Sequence, residues 1–133
     1  MRPIVSSLDH LVLTTRDLDL CISFYVSILG MSVRSFDATD GTTRYAIYFG
    51  AQKINLHKSG EEYKPHATHP MFGTADLCFL SDIPLSEWLT HLEKHNIALL
   101  DGPMERSGAT GPIRSLYIRD PDGNLIEISN QIE

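Results

Sequence analysis

No run of about 18 apolar residues occurs in this 133-residue chain, so no segment reads as membrane-spanning. Cysteine is scarce: Cys21 and Cys78 are the only two, too few for a disulfide framework. Together with an N-terminus that lacks a basic, apolar, small-residue leader, they predict a reducing, cytoplasmic setting. Basic charge is also short. Eleven Lys and Arg against 17 Asp and Glu leave a formal charge of −6, which argues against nucleic acid or an anionic membrane surface as the main partner. The remainder is ordinary for a globular protein, 42% hydrophobic and 21% charged, and the length suits one compact unit with a good core.

Periodicity divides that unit into elements. Residues 8–14 read as a strand with Leu8, His10, Val12 and Thr14 on one face, and His10 is the odd polar group there. Asp17 is placed to cap a helix whose Cys21, Phe24, Tyr25 and Ile28 recur at i, i+3, i+4, i+7, and Gly30 closes it. Residues 31–37 and 43–50 read as strands around an Asp40-Gly41 hairpin signal, and 53–57 as a strand that sets Lys53, Asn55 and His57 on one face. Residues 58–72 are polar, with His66 and His69 expected at the surface of a connector. Then come a strand at 75–80, a helix from Pro84 with Leu85, Trp88, Leu89 and Leu92 at helical spacing, and a strand at 97–100. The glycine-rich stretch 102–112 reads as a mobile loop with the makings of a lid. Residues 113–119 and 124–129 supply the last strands. Both cysteines fall on apolar patterns, Cys21 on a helix stripe and Cys78 in a strand, and are expected to be buried structural thiols.

The order β-α-β-β-β therefore occurs twice, a repeat of roughly 50 to 60 residues. Overlaying the halves sets His10 against Asp76, Ile54-Asn55-Leu56 against Ile126-Glu127-Ile128, and His57 against Ser129. Between the last two strands, Asp120-Pro121-Asp122-Gly123 has the residues of a tight turn at the right positions. In the strand that follows, Glu127 shares a face with Leu125 and Ser129. An unpaired buried carboxylate costs several kcal/mol, so Glu127 calls for a cation, a metal or a wet cavity unless it simply sits on a solvated face. Arg114 stands in an inner strand, where a guanidinium can take an anionic substrate group bidentately or simply be exposed.

Leu8-Asp-His-Leu-Val-Leu13, Asp17-Leu18, Ser23-Phe-Tyr25, Leu29-Gly-Met31 and Arg119-Asp-Pro-Asp-Gly-Asn-Leu-Ile-Glu127 together resemble the vicinal oxygen chelate superfamily of glyoxalases, fosfomycin-resistance transferases, extradiol dioxygenases and bleomycin-resistance proteins. Within it the chain looks most like the short glyoxalase-domain-containing proteins, some of which are labelled bacterial virulence proteins. The resemblance implies an α+β fold in which two βαβββ modules form a cup-shaped mixed sheet with helices on its outer face. It makes 1–133 a single domain, with one module at about 5–58 and the other at about 73–130.

It also implies a divalent ion held by His10, Asp76 and Glu127, although Asp76 stands where the family usually has His. Asn55 occupies the place of glyoxalase I's fourth ligand, a carboxylate, which counts against glyoxalase I activity itself and suits Asn55 to substrate binding. His57, two residues on, can replace that ligand or act beside Glu127 as a catalytic acid or base, since its ordinary pKa lies near neutrality. A His with two carboxylates suits Ni²⁺, Zn²⁺, Mn²⁺ or Fe²⁺ without choosing among them. The implied activity is that of a metal-dependent lyase, isomerase or dioxygenase on a small polar substrate with vicinal oxygens, such as a glutathione adduct. The rival is a metal-free binding protein of the bleomycin-resistance type. A homodimer is the implied assembly.

Overall fold

A computed structural model describes all residues, Met1–Glu133. The chain separates into two compact units, Met1–Met71 and Phe72–Glu133. The first holds β1 (His10–Thr15), α1 (Leu18–Ser23), β2 (Ser32–Asp37), β3 (Thr43–Phe49) and β4 (Gln52–Lys58). The second holds β5 (Asp76–Leu80), α2 (Leu85–Lys94), β6 (Asp101–Ser107), β7 (Pro112–Arg119) and β8 (Leu125–Gln131). The α+β class read from the sequence is present as two four-stranded mixed sheets, ordered β1-β4-β3-β2 and β5-β8-β7-β6. No helix is long and apolar enough to cross a membrane.

In each sheet the first and last strands of the unit run parallel and the other pairs antiparallel. The two parallel pairs have the same register: Val12 stands beside Asn55, and Cys78 beside Glu127. The repeat seen in the sequence is thus a repeat of strand register as well as of element order. One face of each sheet meets a helix. In the first unit Cys21, Phe24, Tyr25 and Ile28 are buried along with Leu13, Ile47, Ile54 and Leu56; in the second, Leu85 and Leu92 are buried along with Leu116, Ile118, Ile126 and Ile128. The opposite faces carry no helix of their own unit, which leaves Val12 46% and Leu80 59% exposed.

Local chemistry explains the element ends. Asp17 Oδ1 accepts the Leu20 N–H at 3.1 Å, capping α1 as expected. The helix then widens into a π-turn over Phe24–Ile28, and Gly30 at φ +75° ends it. α2 begins at Leu85, whose N–H donates to Asn130 Oδ1 of β8 at 2.9 Å, so the last strand caps the helix that lies on it.

Two readings are corrected. Residues 97–100 form no strand, because Asn96 at φ +57° ends α2 and only Leu100 N–H reaches β7, at Tyr117 O. The stretch read as a loop is instead largely β6, an edge strand that accommodates Gly102 and Pro103 in a register shift between Asp101 and Met104. Gly102 lacks a Cβ where one would lie 2.5 Å from Ser115 O. The irregular part shrinks to the turn between β6 and β7, closed by Gly108 N–H on Gly111 O at 2.8 Å.

Candidate functional site

Strand pairing fixes which side chains share a surface, because residues side by side in a ladder project from the same face. On the uncovered face of the second sheet, β5 contributes Asp76, Cys78 and Leu80; β8 contributes Leu125, Glu127 and Ser129; β7 contributes Ser115, Tyr117 and Arg119. Glu127 is half-buried and has Cys78 on one side and Tyr117 on the other. Its Oε2 accepts a long hydrogen bond from Ser129 Oγ at 3.5 Å, and Ser129 is fully buried against Ser115 Oγ at 2.7 Å. Neither Asp76 nor Glu127 is ion-paired.

A cleft of about 330 Å³ opens at this face, lined by Cys78, Leu80, Ile113, Glu127 and Gln131 and bounded by residues 107–110 of the β6–β7 turn. Arg106, from β6, donates from Nε to Tyr117 Oη at 3.1 Å.

Cys78 is exposed, contrary to the sequence expectation; β5 is an edge strand and this face has no helix over it. The sulfur itself lies against buried Ser129 Oγ at 3.3 Å, and this local desolvation pushes the thiol above its ordinary pKa. The Ser129 contact works against the rise, while the carboxylates of Glu127 and Asp76 add to it. Cys78 is therefore accessible but held as a thiol. Cys21 is buried, as expected.

On the uncovered face of the first sheet, the same rule collects His10, Val12 and Thr14 of β1, Lys53, Asn55 and His57 of β4, Arg44, Ala46 and Tyr48 of β3, and Ser32, Arg34 and Phe36 of β2. His10 is exposed, with Nδ1 2.8 Å from Asp9 Oδ1; that contact keeps the proton on Nδ1 and leaves Nε2 as the free donor atom. Asn55 Oδ1 is the one buried side-chain polar atom in the chain with no hydrogen-bond partner.

His57 is 8% exposed and packs edge-to-face on Tyr63, whose ring lies 3.9 Å from the Arg44 guanidinium. Burial lowers the His57 pKa, Arg44 and His66 lower it further, and Glu62 partly opposes them. The imidazole is thus neutral at physiological pH and able to accept a proton.

Of the residues singled out from the sequence, His10, Asn55 and His57 share one face in the first unit, and Asp76 and Glu127 share one in the second. Arg114 does not join them: it alternates with Ser115, lies beside Asn130 and is exposed on the opposite face from Glu127. Three or more His, Cys, Asp or Glu side chains come together as a metal-holding group in neither unit. Tyr63, Arg34 and Lys53 were not legible as site residues, since their neighbours come from other strands or from the connector.

A sequence profile of the Glyoxalase/Bleomycin resistance protein/Dioxygenase superfamily matches residues 7–128. The chain is 47% identical to virulence protein STM3117 of Salmonella typhimurium over 129 residues, 97% of this chain and 87% of that protein. The crystal structure of that protein superposes with a TM-score of 0.91 over 98% of this chain and 100% of its own. Glyoxalase domain-containing protein RDO1 of Mycosarcoma maydis is 50% identical over 126 residues, 95% of this chain and 69% of its own. The crystal structure of a lactoylglutathione lyase from Agrobacterium tumefaciens is 26% identical, with a TM-score of 0.68 over 96% of this chain and 95% of its own. With a match across nearly its whole length and two such relatives, the chain belongs to the Glyoxalase/Bleomycin resistance protein/Dioxygenase superfamily.

Proposed function

We propose that the chain is a divalent-metal-dependent enzyme of the glyoxalase/dioxygenase kind, acting on a small polar molecule with two adjacent oxygens. The observation that carries this reading is the pair Asp76 and Glu127, two carboxylates without a cation on one uncovered sheet face. His10 adds a nitrogen donor at the β1 position that repeats Asp76 in β5. Its Nε2 is left free by the Asp9 contact. Superfamily members commonly use divalent metals, and a His with two carboxylates suits Ni²⁺, Zn²⁺, Mn²⁺ or Fe²⁺. When bound, the ion would supply Lewis-acid stabilisation of negative charge on substrate oxygens.

The chain's own residues supply the rest. Neutral His57 is suited to accept a proton from substrate, and Glu127, which lines a cleft in the second unit, is suited to proton movement as well. The side-chain oxygen of Asn55 accepts a hydrogen bond from a substrate hydroxyl.

Elemental analysis of protein purified without chelators tests the reading. About one ion per chain, lost in Glu127→Gln, is expected. Substoichiometric metal unaffected by Glu127→Gln would overturn the reading in favour of a metal-free binding protein, which Asn55 in a ligand position also suits. Turnover of the methylglyoxal–glutathione hemithioacetal by Ni²⁺- or Zn²⁺-loaded protein tests lyase activity itself. The assembly we propose is a homodimer; a monomeric mass by light scattering at micromolar concentration would overturn it.

A further inference from the structure

We infer that the uncovered face of the first sheet binds the carboxylate of a small hydroxy acid through Lys53 and Arg34, with its hydroxyl on Asn55. The inference names the substrate class for the activity proposed above and rests on that reading only for what happens after binding.

Two cations from different strands gather on one aromatic ring. The Arg34 guanidinium of β2 lies 4.4 Å from the Tyr48 centroid, and Lys53 Nζ of β4 lies 5.9 Å from the same centroid and 4.8 Å from that of Phe36. Neither is ion-paired, although Arg44 on the same face is, to Asp40 at 2.9 Å. The rings hold the two cations in place without neutralising them. Both cations thus remain available to an anion that reaches this face.

The chain's overall charge narrows the anion. At −6 the whole-molecule field repels a polyanion such as nucleic acid, whereas a small acid feels mainly the local pair. Asn55 adds the second feature. It sits beside Ala46 in β3, which in turn lies beside Arg34, and it is two residues along β4 from Lys53 on the same face. Its partnerless Oδ1 needs a donor, which a hydroxyl supplies and a plain carboxylate does not. Carboxylate and hydroxyl together describe a hydroxy acid, whose adjacent oxygens are those the proposed chemistry acts on.

The experiment is a calorimetric or NMR titration of chelator-treated protein with malate, succinate and the neutral malamide at low salt. Because no metal is present, its outcome is independent of the metal reading. Saturable malate binding is expected, weaker for succinate and absent for malamide, and falling as salt is raised. Lys53→Met and Arg34→Gln should each weaken malate by about tenfold or more, and Lys53→Arg should restore most of the loss. Asn55→Ala should erase the preference for malate over succinate. Equal binding of malate and malamide, or malate affinity untouched by Lys53→Met in a protein with wild-type circular dichroism, would overturn the inference. A loss of metal binding with malate binding intact would instead remove only the enzymatic reading.

Discussion

Cys78 stands directly beside Glu127 in the parallel β5–β8 pair, an accessible thiol kept protonated first by local desolvation and further by the neighbouring carboxylate. Native protein should therefore react with iodoacetamide at one thiol of its two, since Cys21 is buried. The rate at about pH 7.5 should fall below that of free cysteine, because the thiolate is the nucleophile. Glu127→Gln should speed it. A slower or unchanged rate in that variant would show that the neighbouring charge does not govern the thiol.

The turn Asp120–Asn124 is a latch as well as a reversal. Asp120 Oδ1 accepts the N–H groups of Asp122 and Asn124, both at 2.9 Å, and Oδ2 accepts Asn124 Nδ2 at 2.8 Å. Asn124 Oδ1 in turn accepts the Ala75 N–H at 2.9 Å, tying the turn to the start of β5. Asn124 is 1% exposed, so Asn124→Ala takes the acceptor from the part-buried Ala75 N–H and one donor from the buried Asp120 carboxylate, and should cost about 2–4 kcal/mol. Urea denaturation measures it; a loss under about 1 kcal/mol would mean that water replaces the amide.

His57 gives stability a defined pH dependence. Its pKa is lowered in the folded state from 6.5, so the unfolded chain binds the proton more readily. The contribution is fully present above the unfolded value and is lost as pH falls through the folded one. Denaturation midpoints should drop between about pH 7.5 and about pH 5 more in the wild type than in His57→Leu. Parallel pH profiles for the two proteins would contradict this.

Gly102→Ala, at the one glycine of β6, should be strongly damaging. It combines φ +91° with a Cβ 2.5 Å from Ser115 O, a contact with backbone that cannot rotate away. A loss of about 2 kcal/mol or more is expected by thermal or chemical denaturation.

How much of this was legible varies with how local the cause is. The α1 stripe, the Asp17 cap and the Asp120–Gly123 turn follow from neighbours within a few residues, and the repeat gave the overlay of Asn55 on Glu127 that the two registers reproduce. β6 was missed because glycine and proline are strand breakers everywhere except at an edge or a bulge, and edge position is set by the order of the whole sheet. Cys78 was read as buried for the same reason. The Arg34–Tyr48–Lys53 grouping needs three strands in register, and the return of Tyr63 onto His57 is tertiary. Neither leaves a periodic trace.

In both units the strand made first pairs only with the strand made last. Removing β4 would strand β1, and removing β8 would release β5 and uncap α2 at once. Each unit is therefore indivisible in a practical sense: nothing shorter than four strands and a helix closes on itself. A truncation that takes the last strand of either unit therefore also leaves its first strand without a partner.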